Sequence, residues 1–113
     1  MRERSAVRVV PSKPVTVVIE TQDFQPVAFG GVADISERGA CVWTDESSFA
    51  VGDRLILLLS FGQESLQAAG RVVWSGPDQA HEGASRYGLQ WAGTSGPLHT
   101  RLTFLIRASQ TSH

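Results

Sequence analysis

From residue 15 onward, apolar and polar positions alternate in short runs rich in β-branched residues, the period-two pattern of half-buried strands. "KPVTVVIET" supplies a first strand from about Val15 to Thr21, and "VAFGGVADIS" a second from about Val27 to Ala33, with the turn-like "QDFQP" between them. These two runs predict a hairpin. Four more extended runs follow, "GACVWT", "RLILLLSF", "QAAGRVVWSG" and "SRYGLQW", separated by the turn-rich "DESSFAVGD", "GQES" and "PDQAHEGA". Six short strands with small gaps predict an antiparallel meander or barrel. Gly30-Gly31 inside the second strand predicts a bulge or sharp bend. Val51-Gly52-Asp53 predicts a tight turn into the most apolar run, Leu55 to Leu59, expected to be a central strand.

The period changes at the end of the chain. After Ser95-Gly96-Pro97, apolar residues fall at Leu98, Leu102, Leu105 and Ile106, the stripe of an amphipathic helix. Pro97 suits a first helical position, with Ser95 or Gly96 as cap. One apolar stripe predicts a helix that covers an open end or seam of the barrel. "ASQTSH" is expected to fray.

Length, charge and cysteine content narrow the function classes. A chain of 113 residues is one ordinary domain. A formal net charge of -1 argues against holding long nucleic acid by bulk electrostatics, so any anion site must be local. Arg2, Arg4, Arg8 and Lys13 against Glu3 concentrate positive charge in the first thirteen residues. No apolar run approaches the ~20 residues of a membrane helix, and the arginine-bearing start is not a secretory signal, so no membrane insertion and a cytoplasmic location are expected. The single cysteine, Cys41, forms no internal disulfide and is read as a small, half-buried strand residue.

Nothing in the chain points to an enzyme or to a bound cofactor. His81, His99 and His113 are scattered without metal-ligand spacing, and no nucleophile elbow, P-loop or GxGxxG occurs. "DISERG", Asp34 to Gly39, connects the second and third strands and reads as a turn in which Asp and Ser cap backbone amides. A hairpin returns the chain to where it began, so the start of the first strand lies beside the end of the second. The arginine-bearing arm and "DISERG" then become neighbours. Arginine pairs bidentately with phosphate or with the O6/N7 edge of guanine. An aspartate accepts from guanine N1-H and N2-H, and serine and glycine amides donate to phosphate or ribose oxygens. Together these groups describe a pocket for an anionic guanine nucleotide.

"RSAVR", Arg4 to Arg8, resembles the RxxxR motif, and "DISERG" the [D/N]xSxxG motif, of PilZ domains, bacterial receptors for cyclic di-GMP. "GRVVW", Gly70 to Trp74, and "RYGLQW", Arg86 to Trp91, resemble the family's two late strands. The resemblance implies a six-stranded antiparallel β-barrel with a C-terminal α-helix. It also implies that Arg4 and Arg8 grip guanine and phosphate, that Asp34 and Ser36 hold guanine or phosphate from the barrel side, and that Gly39 permits the turn. Arg38, Arg2 and Trp43 are candidates for additional contacts. For Trp74 and Trp91, which end apolar runs, core or rim packing is favoured over stacking. Glu3 stands before Arg4, where family members that take two stacked ligand molecules often carry a basic residue, so one and two molecules both stay open.

The expected organisation is a mobile ligand-binding arm over residues 1–12, a PilZ-like barrel with its helix over 13–108, and a frayed tail over 109–113. The expected function is a stand-alone receptor for cyclic di-GMP that orders its arm on binding and signals to a downstream effector protein. The alternative is a PilZ-like module that binds protein partners and not the nucleotide. An OB-like single-strand binder would need a basic groove that the charge does not provide.

Overall fold

The computed structural model describes residue 10 and residues 15–92, so the expected arm (Val10 apart), the expected terminal helix and the tail lie outside the described residues. Six strands are present: β1 (Thr16–Glu20), β2 (Pro26–Ile35), β3 (Gly39–Thr44), β4 (Arg54–Phe61), β5 (Glu64–Pro77) and β6 (Ser85–Trp91). Their alternation shows most plainly in β4. Leu55, Leu57 and Leu59 are buried, whereas Ile56 and Leu58 between them are partly covered. Val17 and Ile19, Ile35, Val42, Leu66, Val72, Tyr87 and Leu89 join the β4 leucines in one core.

All neighbouring strands pair antiparallel, and the sheet closes in the order β1-β2-β3-β6-β5-β4. Closure gives every strand two neighbours, so the expectation of a central β4 has no meaning here. A simple meander is also excluded, because β3 and β4 follow each other in sequence yet lie on opposite sides of the barrel. Residues 45–53 carry the chain across. Phe49 from this segment packs on the core and meets the Tyr87 ring edge-on at 5.3 Å, while the Tyr87 hydroxyl donates to the Glu46 carbonyl at 2.8 Å. The segment ends in the expected tight turn, where Gly52 has a φ of +102° and its N–H donates to the Val72 carbonyl. β4 and β5 are joined by the two-residue turn Gly62-Gln63, with glycine at its first position at a φ of +63°.

The bulges fall elsewhere than at Gly30-Gly31. Those glycines allow close approach: a Cβ on Gly30 would stand 1.8 Å from the Trp43 carbonyl oxygen, and one on Gly31 2.7 Å from the Trp43 indole nitrogen. β2 is irregular twice, at Val27, where Ile19 pairs with Ala28 and Glu20 with Pro26, and at Ala33, where Val32 pairs with Val42 and Asp34 with Cys41. A third irregularity falls at Val73, since Val72 pairs with Leu89 and Trp74 with Gly88.

Candidate functional site

The bulges at Ala33 and Val73 change which face the following residue occupies. Strict alternation would place Asp34 on the same face as Val32, and Trp74 on the same face as Val72, inside the barrel. One extra residue in each strand reverses this, so that Ile35 is buried in place of Asp34, and Trp74 is 40% exposed. The two re-aimed residues share one cross-strand row, Asp34 opposite Cys41, Cys41 opposite Gly88, and Gly88 opposite Trp74. Gly88 is required by this arrangement. A Cβ there would stand 2.1 Å from the Trp74 indole nitrogen and 2.5 Å and 2.6 Å from its ring neighbours, so one indole face lies on bare backbone. Trp74 therefore packs at the rim, on the outer surface, rather than in the core. Cys41, also on this row, is buried more fully than the expected half-buried thiol.

The turn beside the row is built by its own side chains. Ser36 is buried, and its hydroxyl oxygen accepts from the N–H groups of Arg38 at 3.1 Å and Gly39 at 3.3 Å. Its own N–H donates to the Gly39 carbonyl at 2.8 Å. β6 braces the turn from the side: the Trp91 indole N–H donates to the Ser36 carbonyl at 3.0 Å, and the Trp91 backbone N–H to the Arg38 carbonyl at 2.8 Å. Packing is thus the role the structure gives Trp91. Gly39 needs to be glycine for closeness, since a Cβ would stand 2.0 Å from the Leu89 carbonyl oxygen. Arg38 is exposed on this turn.

A second outer row lies one step further along the strands. There Gly31 pairs with Trp43, Trp43 with Arg86 and Arg86 with Gly76. Trp43 lies against Gly31 and stacks on the His81 ring, with centroids 3.9 Å apart and planes at 14°, so its stacking partner comes from the chain itself. His81 is held by Asp78, whose fully buried carboxylate is shared: Oδ2 lies 2.7 Å from His81 Nδ1, and Oδ1 accepts from Arg86 Nε and Nη2 at 2.8 Å each. Burial works to raise the Asp78 carboxyl, and the hydrogen bonds from His81 and Arg86 outweigh it, holding it below the usual carboxylate range. The same hydrogen bond raises Arg86 further above its ordinary value, and the nearby Cys41 and Asp34 act in the same direction.

This cluster escaped the reading of "PDQAHEGA" as a mere turn. Among the described residues no group of three histidines, cysteines, aspartates or glutamates could hold a metal ion. Of the expected site residues, Asp34, Ser36, Arg38, Gly39 and Trp43 thus lie on two adjacent rows or the turn beside them, while Arg2, Arg4 and Arg8 lie outside the described residues.

The PilZ domain family model matches residues 2–108, taking in both motifs and all six strands. The chain belongs to the PilZ domain family. Solved PilZ structures share its fold. The PilZ domain of YcgR from Escherichia coli, solved with c-di-GMP, superposes with a TM-score of 0.81 at 13% identity, covering 96% of this chain and 92% of that one. The inhibitor of motility MotI/DgrA of Bacillus subtilis gives 0.73 at 18% identity, covering all of this chain and 54% of its own length. The PilZ domain of a cellulose-synthesizing bacterium's CeSA gives 0.69 at 16% identity, covering 93% of this chain and 99% of that one. At such identities the likeness is one of fold. Among curated proteins nothing matches. In this PilZ domain no helix among the described residues is long and apolar enough to cross a membrane.

Proposed function

We propose that this PilZ domain is a receptor for cyclic di-GMP, and a signalling adaptor rather than an enzyme. One observation carries the reading. The paired bulges set an acceptor, Asp34, and an aromatic platform, Trp74, on a single outer row next to a turn braced by Ser36 and Trp91. Flat bases stack on exposed indole faces, and carboxylates accept from guanine N–H groups. Arg4 and Arg8 supply the forks for phosphate and guanine that this row lacks, with Arg2 and Arg38 as additional cations. The Ser36 hydroxyl hydrogen, whose described acceptor is the Gly39 carbonyl at 3.5 Å, is available to a ligand oxygen. The bound c-di-GMP of the YcgR domain supports the choice of ligand.

Ligand binding draws residues 1–12 across the outer face, and the surface so completed is what a downstream effector protein recognises. Ordering the arm costs conformational entropy, so affinity per contact is modest.

Calorimetry with cyclic di-GMP tests the reading. Saturable binding is expected in the wild type, lost in Arg8→Ala and Asp34→Ala and kept in Arg54→Ala, which removes a cation from β4. Hydrogen exchange should slow in residues 1–12 on binding. No heat and no protection at near-millimolar ligand would leave the alternative, a PilZ module that binds protein partners only.

A further inference from the structure

Arg86 is held in place at the cost of a buried carboxylate. Two of its N–H groups are spent on Asp78 Oδ1, and its side chain remains 35% exposed. Burying an ionised carboxyl is unfavourable unless its charge and lone pairs are matched. Here His81 meets one oxygen and Arg86 the other. The outcome is a guanidinium with a fixed orientation, whose outer Nη hydrogens have no described partner. A guanidinium already immobilised loses little further freedom on meeting a ligand.

Its surroundings say what could meet it. On β6, Arg86 and Gly88 are two residues apart on one face, roughly 7 Å along the strand. Trp74 covers Gly88, so the indole platform and the guanidinium are adjacent. Opposite Arg86 on β5 stands Gly76, which adds no side chain. A Cβ built there would meet nothing within 4 Å. A flat group lying on Trp74 would therefore extend over bare backbone toward Arg86. A stacked purine presents its edge in the plane of its ring, and two neighbouring acceptors on that edge suit the paired donors of an arginine.

Building on the receptor reading, we propose that Arg86, positioned by Asp78, reads the O6/N7 edge of a guanine stacked on Trp74, across the gap left by Gly76. Guanine offers two acceptors there. Adenine offers N7 beside an amino group, and the donor facing a donor is rejected. Arg86 thereby sets base specificity, and Asp78 acts as a positioning residue.

The test compares wild type, Arg86→Lys and Gly76→Val by calorimetry with cyclic di-GMP and cyclic di-AMP, with melting temperatures recorded alongside. Arg86→Lys keeps a cation for Asp78 but loses the planar fork. Cyclic di-GMP should weaken by about tenfold to a hundredfold, as for loss of a bidentate base contact, while cyclic di-AMP changes little. Gly76→Val introduces bulk where no protein atom stands in the way, so its melting temperature should stay at the wild-type value while cyclic di-GMP binding falls. Should Arg86→Lys fold poorly, Gly76→Val decides alone. If wild type binds cyclic di-GMP and Gly76→Val matches it in affinity and in preference over cyclic di-AMP, the role of Arg86 is refuted and the receptor reading stands. If wild type takes up no cyclic di-GMP, the receptor reading itself fails and this inference fails with it.

Discussion

Along β4 the pairing with β5 runs from Arg54–Arg71 to Phe61–Glu64, and the pairing with β1 from Glu20–Ile56 to Thr16–Ser60, without one shift of register. Around β3 and β6 the ladder is interrupted twice at the same height, at Ala33 in β2 and at Val73 in β5. The regular flank sends its leucines inward and serves burial. The bulged flank gives up ladder bonds, and in exchange Asp34 and Trp74 face outward on a shared row. On the receptor reading, the barrel separates burial along β4 from recognition along the β3 and β6 flank.

That separation can be broken from either side. Leu57 is fully buried between β1 and β5 partners, so Leu57→Ala should cost about 2–5 kcal/mol in denaturant unfolding. The affinity of the molecules that stay folded for cyclic di-GMP should not change. Trp74→Ala should do the reverse. It removes an exposed platform, weakening cyclic di-GMP by about 1–3 kcal/mol as for loss of one base stack, with little movement of the melting temperature.

Trp91 joins the two functions, and Trp91→Phe sharpens the comparison. Loss of its indole N–H leaves the Ser36 carbonyl without that donor, costing about 1 kcal/mol of stability. Affinity should fall slightly as the turn beside Asp34 loosens. The last effect is read as a slope. The Asp78 carboxyl is held low in the folded state, so its contribution is complete above its unfolded value and is lost as pH falls through the folded one. The stability gap between wild type and Asp78→Asn should therefore close in acid. A gap that widens in acid would contradict the paired carboxylate.

The strands were legible because each carries alternation bounded by turn formers, and the "DISERG" turn because Ser and Gly have few other uses in that spacing. Strand order was not legible. Nothing in "DESSFAVGD" announces that the chain crosses the barrel there, since the work is done by Phe49 and Tyr87, far apart in sequence. The outward aim of Asp34 and Trp74 was hidden for a sharper reason: parity counted along the strand assigns both to the wrong face, and a bulge leaves no mark on composition. Gly88, a glycine inside an otherwise bulky strand, was the one available sign that an aromatic ring lay across it. The Asp78–His81–Arg86 cluster was concealed because its members read singly as turn residue, stray histidine and strand cation. Their meeting depends on the fold of residues 78–84 back onto β6.

The central claim is that the row from Asp34 to Trp74 is the ligand-binding face. An amide and indole NMR titration of the full chain with cyclic di-GMP tests it most directly. Saturable shifts are predicted at the Asp34, Cys41 and Gly88 amides and the Trp74 indole N–H, with Val18 on β1 and Leu58 on β4 unmoved. Shifts concentrated on β1 and β4, with that row silent at saturation, would contradict the account.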